Sequence, residues 1–124
     1  MRKRVLIVED EIVSAMSLDL AIRVWGCQVV GMVTSGEDAI RIAETEKPDV
    51  VLMDVCLQGD LDGLEAAREI IGRLKIPVIF MTGFDDEDTI RAARELKPLA
   101  FLAKPFDPNR LAELLEAGAH LKES

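Results

Sequence analysis

Histidine is nearly absent from this chain, with one in 124 residues, and the two cysteines, Cys27 and Cys56, form no CxxC pair. That scarcity argues against structural zinc sites and disulfide frameworks. Both thiols read instead as small buried hydrophobes in reduced surroundings. Basic residues are in the minority, 15 Lys and Arg against 23 Asp and Glu, for a net charge of −8. Phosphate binding needs clustered Lys and Arg, so a nucleic-acid surface is not expected. No apolar run approaches the roughly 20 residues that span a bilayer; "PVIFM" and "VVLM" are typical of the longest. The start "MRKRVLIVED" is basic, but its apolar stretch is too short for a signal peptide and acids follow at once. These absences place the chain in the cytoplasm. No repeat, low-complexity tract or linker breaks the sequence, and 124 residues suit one compact domain, residues 1–124.

What is present is a fivefold alternation. Apolar runs "RVLIVE" (4–9), "CQVVGMV" (27–33), "DVVLMD" (49–54), "PVIFMT" (77–82) and "AFLAK" (100–104) are nearly continuous in Val, Ile and Leu. That pattern suits parallel strands covered on both faces. Between them lie helical spacings: Ile12, Ala15, Met16 and Leu20; then Ala39, Ile40 and Ala43. Leu64, Ala67, Ile70 and Ile71 mark the third helix, Ile90, Ala93 and Leu96 the fourth, and Leu111, Leu114 and Leu115 the fifth. "SGED" offers Ser35 as an N-cap, and "DPNR" offers Asp107 as N-cap with Pro108 at the first helical position. Gly26 and Pro98 close helices one and four. Five β-α units with right-handed crossovers predict an α/β fold, a (βα)5 doubly wound sandwich.

In open sheets of this kind, functional loops gather at the carboxyl ends of the strands. Glu9, Asp10 and Glu11 follow strand one, Asp54 ends strand three, Thr82 ends strand four and Lys104 ends strand five. A carboxylate in a run as apolar as "VVLMDVC" costs several kcal/mol of desolvation unless something holds it charged. Crowded carboxylates also repel one another, and a hard divalent cation resolves this. Mg²⁺ fits, with Asp10 and Asp54 as ligands and Glu9 acting through water. Asp54 can then serve as a covalent nucleophile forming an aspartyl phosphate. Such a transfer needs positioning and charge neutralisation, which Lys104 and the Thr82 hydroxyl can supply. Gly83 leaves room beside Thr82, and Pro105 restricts the backbone of Lys104.

At these residues the chain resembles the response-regulator receiver domain of two-component signalling, the CheY-like family. "LIVEDE" matches the family's acidic pair, Asp54 its phosphoacceptor, "MTGF" its signalling hydroxyl at Thr82, and "FLAKPF" its lysine at Lys104. The resemblance spans essentially the whole chain. It implies a five-stranded parallel sheet in the order 2-1-3-4-5, as in flavodoxin-like folds. It implies Mg²⁺-dependent transfer, with Mn²⁺ as an alternative ion, from a phosphohistidine on a sensor kinase to Asp54. The backbone carbonyl of Cys56 is implied as a further metal ligand, and Phe101 as an aromatic switch residue. Cys56 and Phe84, two residues beyond the acceptor and beyond the threonine, are implied to tune hydrolysis; neither orients water well, so dephosphorylation is expected to be slow. Two features depart from the family pattern. The first acid is Glu9 where Asp is frequent, and the loop "CLQGDLDGLEAA" lacks a frequent proline and is one residue longer.

The expected role is thus a signalling switch that assists its own phosphotransfer rather than an enzyme. Phosphorylation would alter the surface of helix four, strand five and helix five, for a protein partner or self-association. No output module is expected within residues 1–124, and neither nucleic acid nor membrane is an expected partner. Alternatives are a relay passing phosphate to a histidine phosphotransfer protein, and a receiver-like scaffold that takes no phosphate. A haloacid-dehalogenase-type phosphatase would carry an acid two residues after Asp54, where Cys56 stands. A flavodoxin would need a phosphate-binding loop where "EDEI" repels phosphate.

Overall fold

The computed structural model describes residues 3–55, 63–83 and 87–123, with side chains described as far as residue 116. Five strands and five helices alternate: β1 Arg4–Val8, α1 Ile12–Val24, β2 Gln28–Val33, α2 Gly36–Glu46 and β3 Val50–Asp54. They continue as α3 Gly63–Gly72, β4 Val78–Thr82, α4 Glu87–Glu95, β5 Ala100–Ala103 and α5 Pro108–Glu123. The strands pair in parallel in the order β2-β1-β3-β4-β5. Every expected strand is present, with ends shifted by one residue at most.

The pleat sorts the apolar residues into two layers, because successive side chains leave a strand on opposite faces. Val5, Ile7, Val50, Leu52, Ile79, Met81 and Leu102 meet Ala15 and Ile22 of α1 and Leu111, Leu114 and Leu115 of α5. Leu6, Val8, Val51, Met53, Val78 and Phe80 meet Ala39 and Ala43 of α2, Ala66, Ala67 and Ile70 of α3, and Ala93 of α4. Both faces of β3 and β4 are therefore buried, which is why their sequences run apolar without alternation.

The helix ends follow from local chemistry. Ser35 accepts the Asp38 N–H at 3.2 Å, and Asp107 accepts the Asn109 N–H at 2.9 Å, as N-caps do. Gly26, at φ 86°, ends α1 in a Schellman arrangement: its N–H reaches Arg23 O and the Cys27 N–H reaches Ile22 O. Three further helix ends use lysine in the left-handed region, Lys47, Lys75 and Lys97, at φ 47°, 59° and 56°. Glycine or asparagine is the usual signal there, so the stops at Lys47 and Lys75 were not legible in the sequence, whereas Pro98 marks the one at Lys97.

One expected face is corrected. The spacing of Ile12, Met16 and Leu20 marks α1 as a helix, but all three point away from the sheet. The buried face is instead Ala15 and Ile22, with Leu18 and Trp25 partly covered. Two apolar stripes share this helix, and periodicity alone does not rank them.

Candidate functional site

The strand alternation delivers the site. Along β1 the series facing α1 and α5 is Val5, Ile7 and then Glu9; along β3 it is Val50, Leu52 and then Asp54; along β5 it reaches Leu102 and then Lys104. The ladders run on just past the assigned strands, since the Glu9 N–H donates to Val33 O at 3.0 Å and the Lys104 N–H to Thr82 O at 2.6 Å. Three chemically active side chains from three strands thus emerge on one face at one edge. The other series brings Val78 and Phe80 to Thr82, on the face where Phe101 lies. The rings of Phe80 and Phe101 sit 6.3 Å apart at 51°.

The Lys104 ammonium donates to Glu9 Oε2 at 2.8 Å and to Asp54 Oδ2 at 3.2 Å. Glu9 also accepts the Glu11 N–H at 3.1 Å, which folds the turn after β1 back over the site. Carboxylate oxygens of Glu9, Asp10 and Asp54 all lie within 4.8 Å of one another. Glu9, Asp54 and Thr82 are buried, and Asp10 is half-buried. Lys104 is joined to Pro105 by a cis peptide bond.

One ammonium cannot neutralise two buried carboxylates, and the ionisation of the group shows it. Burial pushes the Glu9 carboxyl above its ordinary range and the Asp54 charge adds to that, outweighing the Lys104 and Glu11 hydrogen bonds. Burial pulls the Lys104 ammonium the other way, but its contacts with Glu9 and Asp54 win and its pKa lies above the ordinary lysine value. The lysine gains two carboxylate partners, and the two carboxylates share its one ammonium. Three carboxylates and one ammonium leave two negative charges over, which is the charge of one divalent cation. The donor set, all carboxylate oxygen, fits Mg²⁺.

Two residues of the site carry information that residue-type reasoning missed. Glu9 is the direct ion-pair partner of Lys104, not merely an acid near the metal. Pleat parity between "VLIVE" and "AFLAK" was the signal that could have found it. Gly63, at the start of α3, is the second. A Cβ there would fall 2.4 Å from Asp54 O and 3.0 Å from both Cα and O of Val55, so glycine lets α3 press against the backbone that carries Asp54. Gly83 differs, since a Cβ there would meet nothing within 4 Å. Cys56 and Phe84, and the rest of the loop 56–62, lie outside the described residues.

Known proteins share this arrangement. The family model for the response regulator receiver domain matches residues 5–116. The transcriptional regulatory protein PdtaR of Mycobacterium tuberculosis is 38% identical over 114 residues, covering 92% of this chain and 55% of that protein. The receiver domain of a modulated diguanylate cyclase from Desulfovibrio desulfuricans superposes with TM-score 0.94 at 35% identity, covering 99% of this chain and 98% of that one. The receiver domain of the sensor histidine kinase PA1611 from Pseudomonas aeruginosa, described with a magnesium ion in its active site cleft, superposes with TM-score 0.84 at 30% identity. It covers 94% of this chain, which in turn covers 97% of it. The chain spans about half the length of PdtaR. Among the described residues no helix is long and apolar enough to cross a membrane. With its sheet order, its acidic edge and a match over most of its length, the chain belongs to the response regulator receiver domain family.

Proposed function

We propose that the chain is a cytoplasmic signalling switch that accepts a phosphoryl group on Asp54 from a phosphohistidine of a sensor kinase. The observation that carries this reading is the sharing of Lys104 between Glu9 and Asp54 inside a three-carboxylate cluster. An Asp54 carboxylate oxygen forms the new O–P bond while the P–N bond to the donor imidazole breaks. The electron pair leaves with the imidazole nitrogen, which takes its proton from solvent.

Lys104, 3.2 Å from Asp54 Oδ2, is within reach of an incoming phosphoryl oxygen, and Thr82 stands one strand away at the end of β4. Glu9, Asp10 and Asp54 would hold Mg²⁺ or Mn²⁺, which when bound neutralises charge on the phosphoryl oxygens. The family resemblance adds the Cys56 carbonyl to that set. The aspartyl phosphate carries about −1.5 to −2 charges. Thr82 then turns toward the phosphoryl oxygens, and Phe101 packs into the space it leaves against Phe80. The two residues' shared sheet face supports this coupling. The resulting change of the α4-β5-α5 surface is read by a protein partner or by self-association. Residues 1–124 act as a receiver domain with no output module among them, assisting phosphotransfer to itself. The family resemblance makes Cys56 and Phe84 the hydrolysis-tuning positions, and neither residue type orients water well, so hydrolysis is slow.

The test is intact mass after incubation with Mg²⁺ and acetyl phosphate, with Asp54→Asn and EDTA as controls. One phosphoryl adduct is expected on the wild type alone, lost with EDTA. An adduct that survives Asp54→Asn, or none in the wild type, would overturn the assignment. The hydrolysis reading is checked separately, by a phosphoryl half-life that shortens in Phe84→Glu.

A further inference from the structure

The amino edge of the sheet, at the opposite end from Asp54, carries two turns of like sequence. "LKIP" (74–77) leads from α3 into β4, and "LKP" (96–98) leads from α4 into β5. β4 and β5 are neighbours in the sheet, so the two turns lie side by side. In each the leucine packs against the core and the lysine takes the left-handed corner. Glycine would hold either corner without steric strain, yet both carry an exposed cation.

A groove of about 530 Å³ lies at these turns, within the range of sites that take a ligand or an anchoring side chain. Ile71, Ile76, Pro77, Pro98 and Leu99 give it apolar walls, Lys75 and Lys97 complete it, and no acid lines it. Elsewhere the cations of this acidic chain are matched: Arg4, Arg23, Arg41, Arg73, Arg91 and Arg110 each face a carboxylate. Among the described residues Lys75 and Lys97 form no ion pair. A second groove, along α4, sets Glu87 and Glu95 beside Arg91 and Arg94 and so balances its own charge. On a chain of net charge −8, an apolar groove with two uncompensated ammoniums is the exception.

We propose that this groove docks an acidic segment of a partner protein, with an apolar side chain seated on Ile71, Ile76, Pro77 and Leu99 and carboxylates on Lys75 and Lys97. Charge decides the occupant. A purely apolar ligand would strip water from two ammoniums and return nothing for it, whereas a carboxylate beside the apolar anchor pairs with each. A polyanion without apolar surface would leave the walls unused and meet repulsion from the rest of the chain. Lysine suits such a wall, because its stem adds apolar surface while its head stays wet. The five residues of β4, about 16 Å, separate this edge from Thr82 and Asp54, so the segment and a phosphoryl donor can be held at once. A lysine behind a helix also complements the macrodipole, but that role asks for no groove and no ligand.

The probe is the peptide acetyl-Asp-Leu-Phe-Asp-amide, titrated to about 5 mM into the nitrogen-15-labelled full chain and followed by amide chemical shifts. Saturable shifts are expected among residues 71–76 and at 97 and 99, with a Kd of about 1 mM or tighter. Lys75→Met and Lys97→Met keep the side-chain length and the backbone demand, and together should weaken binding by about 10-fold or more. Arg23→Glu, a charge reversal on α1, should leave the Kd unchanged, and added salt should raise it. Peptides with Asn for Asp, or Ser for Leu and Phe, should each bind about 10-fold more weakly. No saturable shift, shifts centred elsewhere, tighter binding in high salt or a Kd untouched by the double lysine variant would overturn the proposal. The last of these, with a lowered Tm, would reduce the lysines to helix-end charges. Octanoate shifting the same amides while the peptide does not would overturn it in favour of a small amphipathic anion. Asp54→Asn should bind the peptide as the wild type does, which separates this test from the phosphotransfer reading.

Discussion

Removing Lys104 should turn the site against its own fold. In Lys104→Met, Glu9 and Asp54 keep their buried carboxylates and lose the ammonium that lies 2.8 and 3.2 Å from them. Deleting one partner of a fully buried pair costs about 3–5 kcal/mol. The Lys104 side chain is 27% exposed, so solvent screening reduces the expected loss to about 2 kcal/mol. An unfolding entropy of about 2.1 cal/mol/K per residue gives about 0.26 kcal/mol/K for 124 residues, hence a drop in Tm of about 8 °C.

The assay is thermal unfolding in EDTA, followed by circular dichroism, across pH. Glu9 has a folded pKa above 4.5, so it contributes stability below that pH which is lost as the pH rises through the folded value. Without Lys104 that value climbs further. The gap between variant and wild type should therefore be widest near about pH 8 and narrow toward about pH 5, as Glu9 takes a proton. Glu9→Gln in the Lys104→Met background should restore about 1 kcal/mol, and saturating Mg²⁺ should stabilise the single variant more than the wild type. Equal melting of wild type and Lys104→Met in EDTA, or further loss on adding Glu9→Gln, would refute the charge argument.

Two glycines of α3 should respond in opposite directions. Gly63→Ala places a Cβ 2.4 Å from Asp54 O; it should lose about 3 kcal/mol, seen as a Tm lowered by roughly 10 °C, together with reduced phosphoryl uptake. An unchanged Tm would contradict the close approach. Gly72→Ala meets nothing within 4 Å and should gain about 0.5 kcal/mol through lower unfolded-state entropy, a rise of about 2 °C. Cys27, whose thiol burial pushes up, should react with iodoacetamide at about pH 8 more slowly than free cysteine when assayed in Cys56→Ser; faster reaction would show it exposed.

Much of this was legible in the one-dimensional pattern. Near-continuous Val, Ile and Leu runs separated by helical spacing lead to five β-α units, and the handedness of crossovers leaves few ways to stack them. Asp54, Thr82 and Lys104 could be named because strand ends are where such sheets place their chemistry. Caps at Ser35 and Asp107, and the stop at Gly26, are local hydrogen-bond matters that the residues settle themselves.

Only the tertiary structure decided the rest, and in each case because the answer depends on what lies across a gap. The pairing of Glu9 with Lys104 spans 95 residues and exists because β1 and β5, with β3 and β4 between them, end their pleats on the same face. The need for glycine at position 63 arises from a helix pressed onto the Asp54 backbone, which no spacing rule records. The stops at Lys47 and Lys75 rest on left-handed backbone that lysine adopts only under tertiary constraint. For α1 the sequence carries two apolar stripes of equal standing; the sheet accepted Ala15 and Ile22, the smaller stripe that lets the helix lie close, and left Ile12, Met16, Leu20 and Val24 for water or a partner.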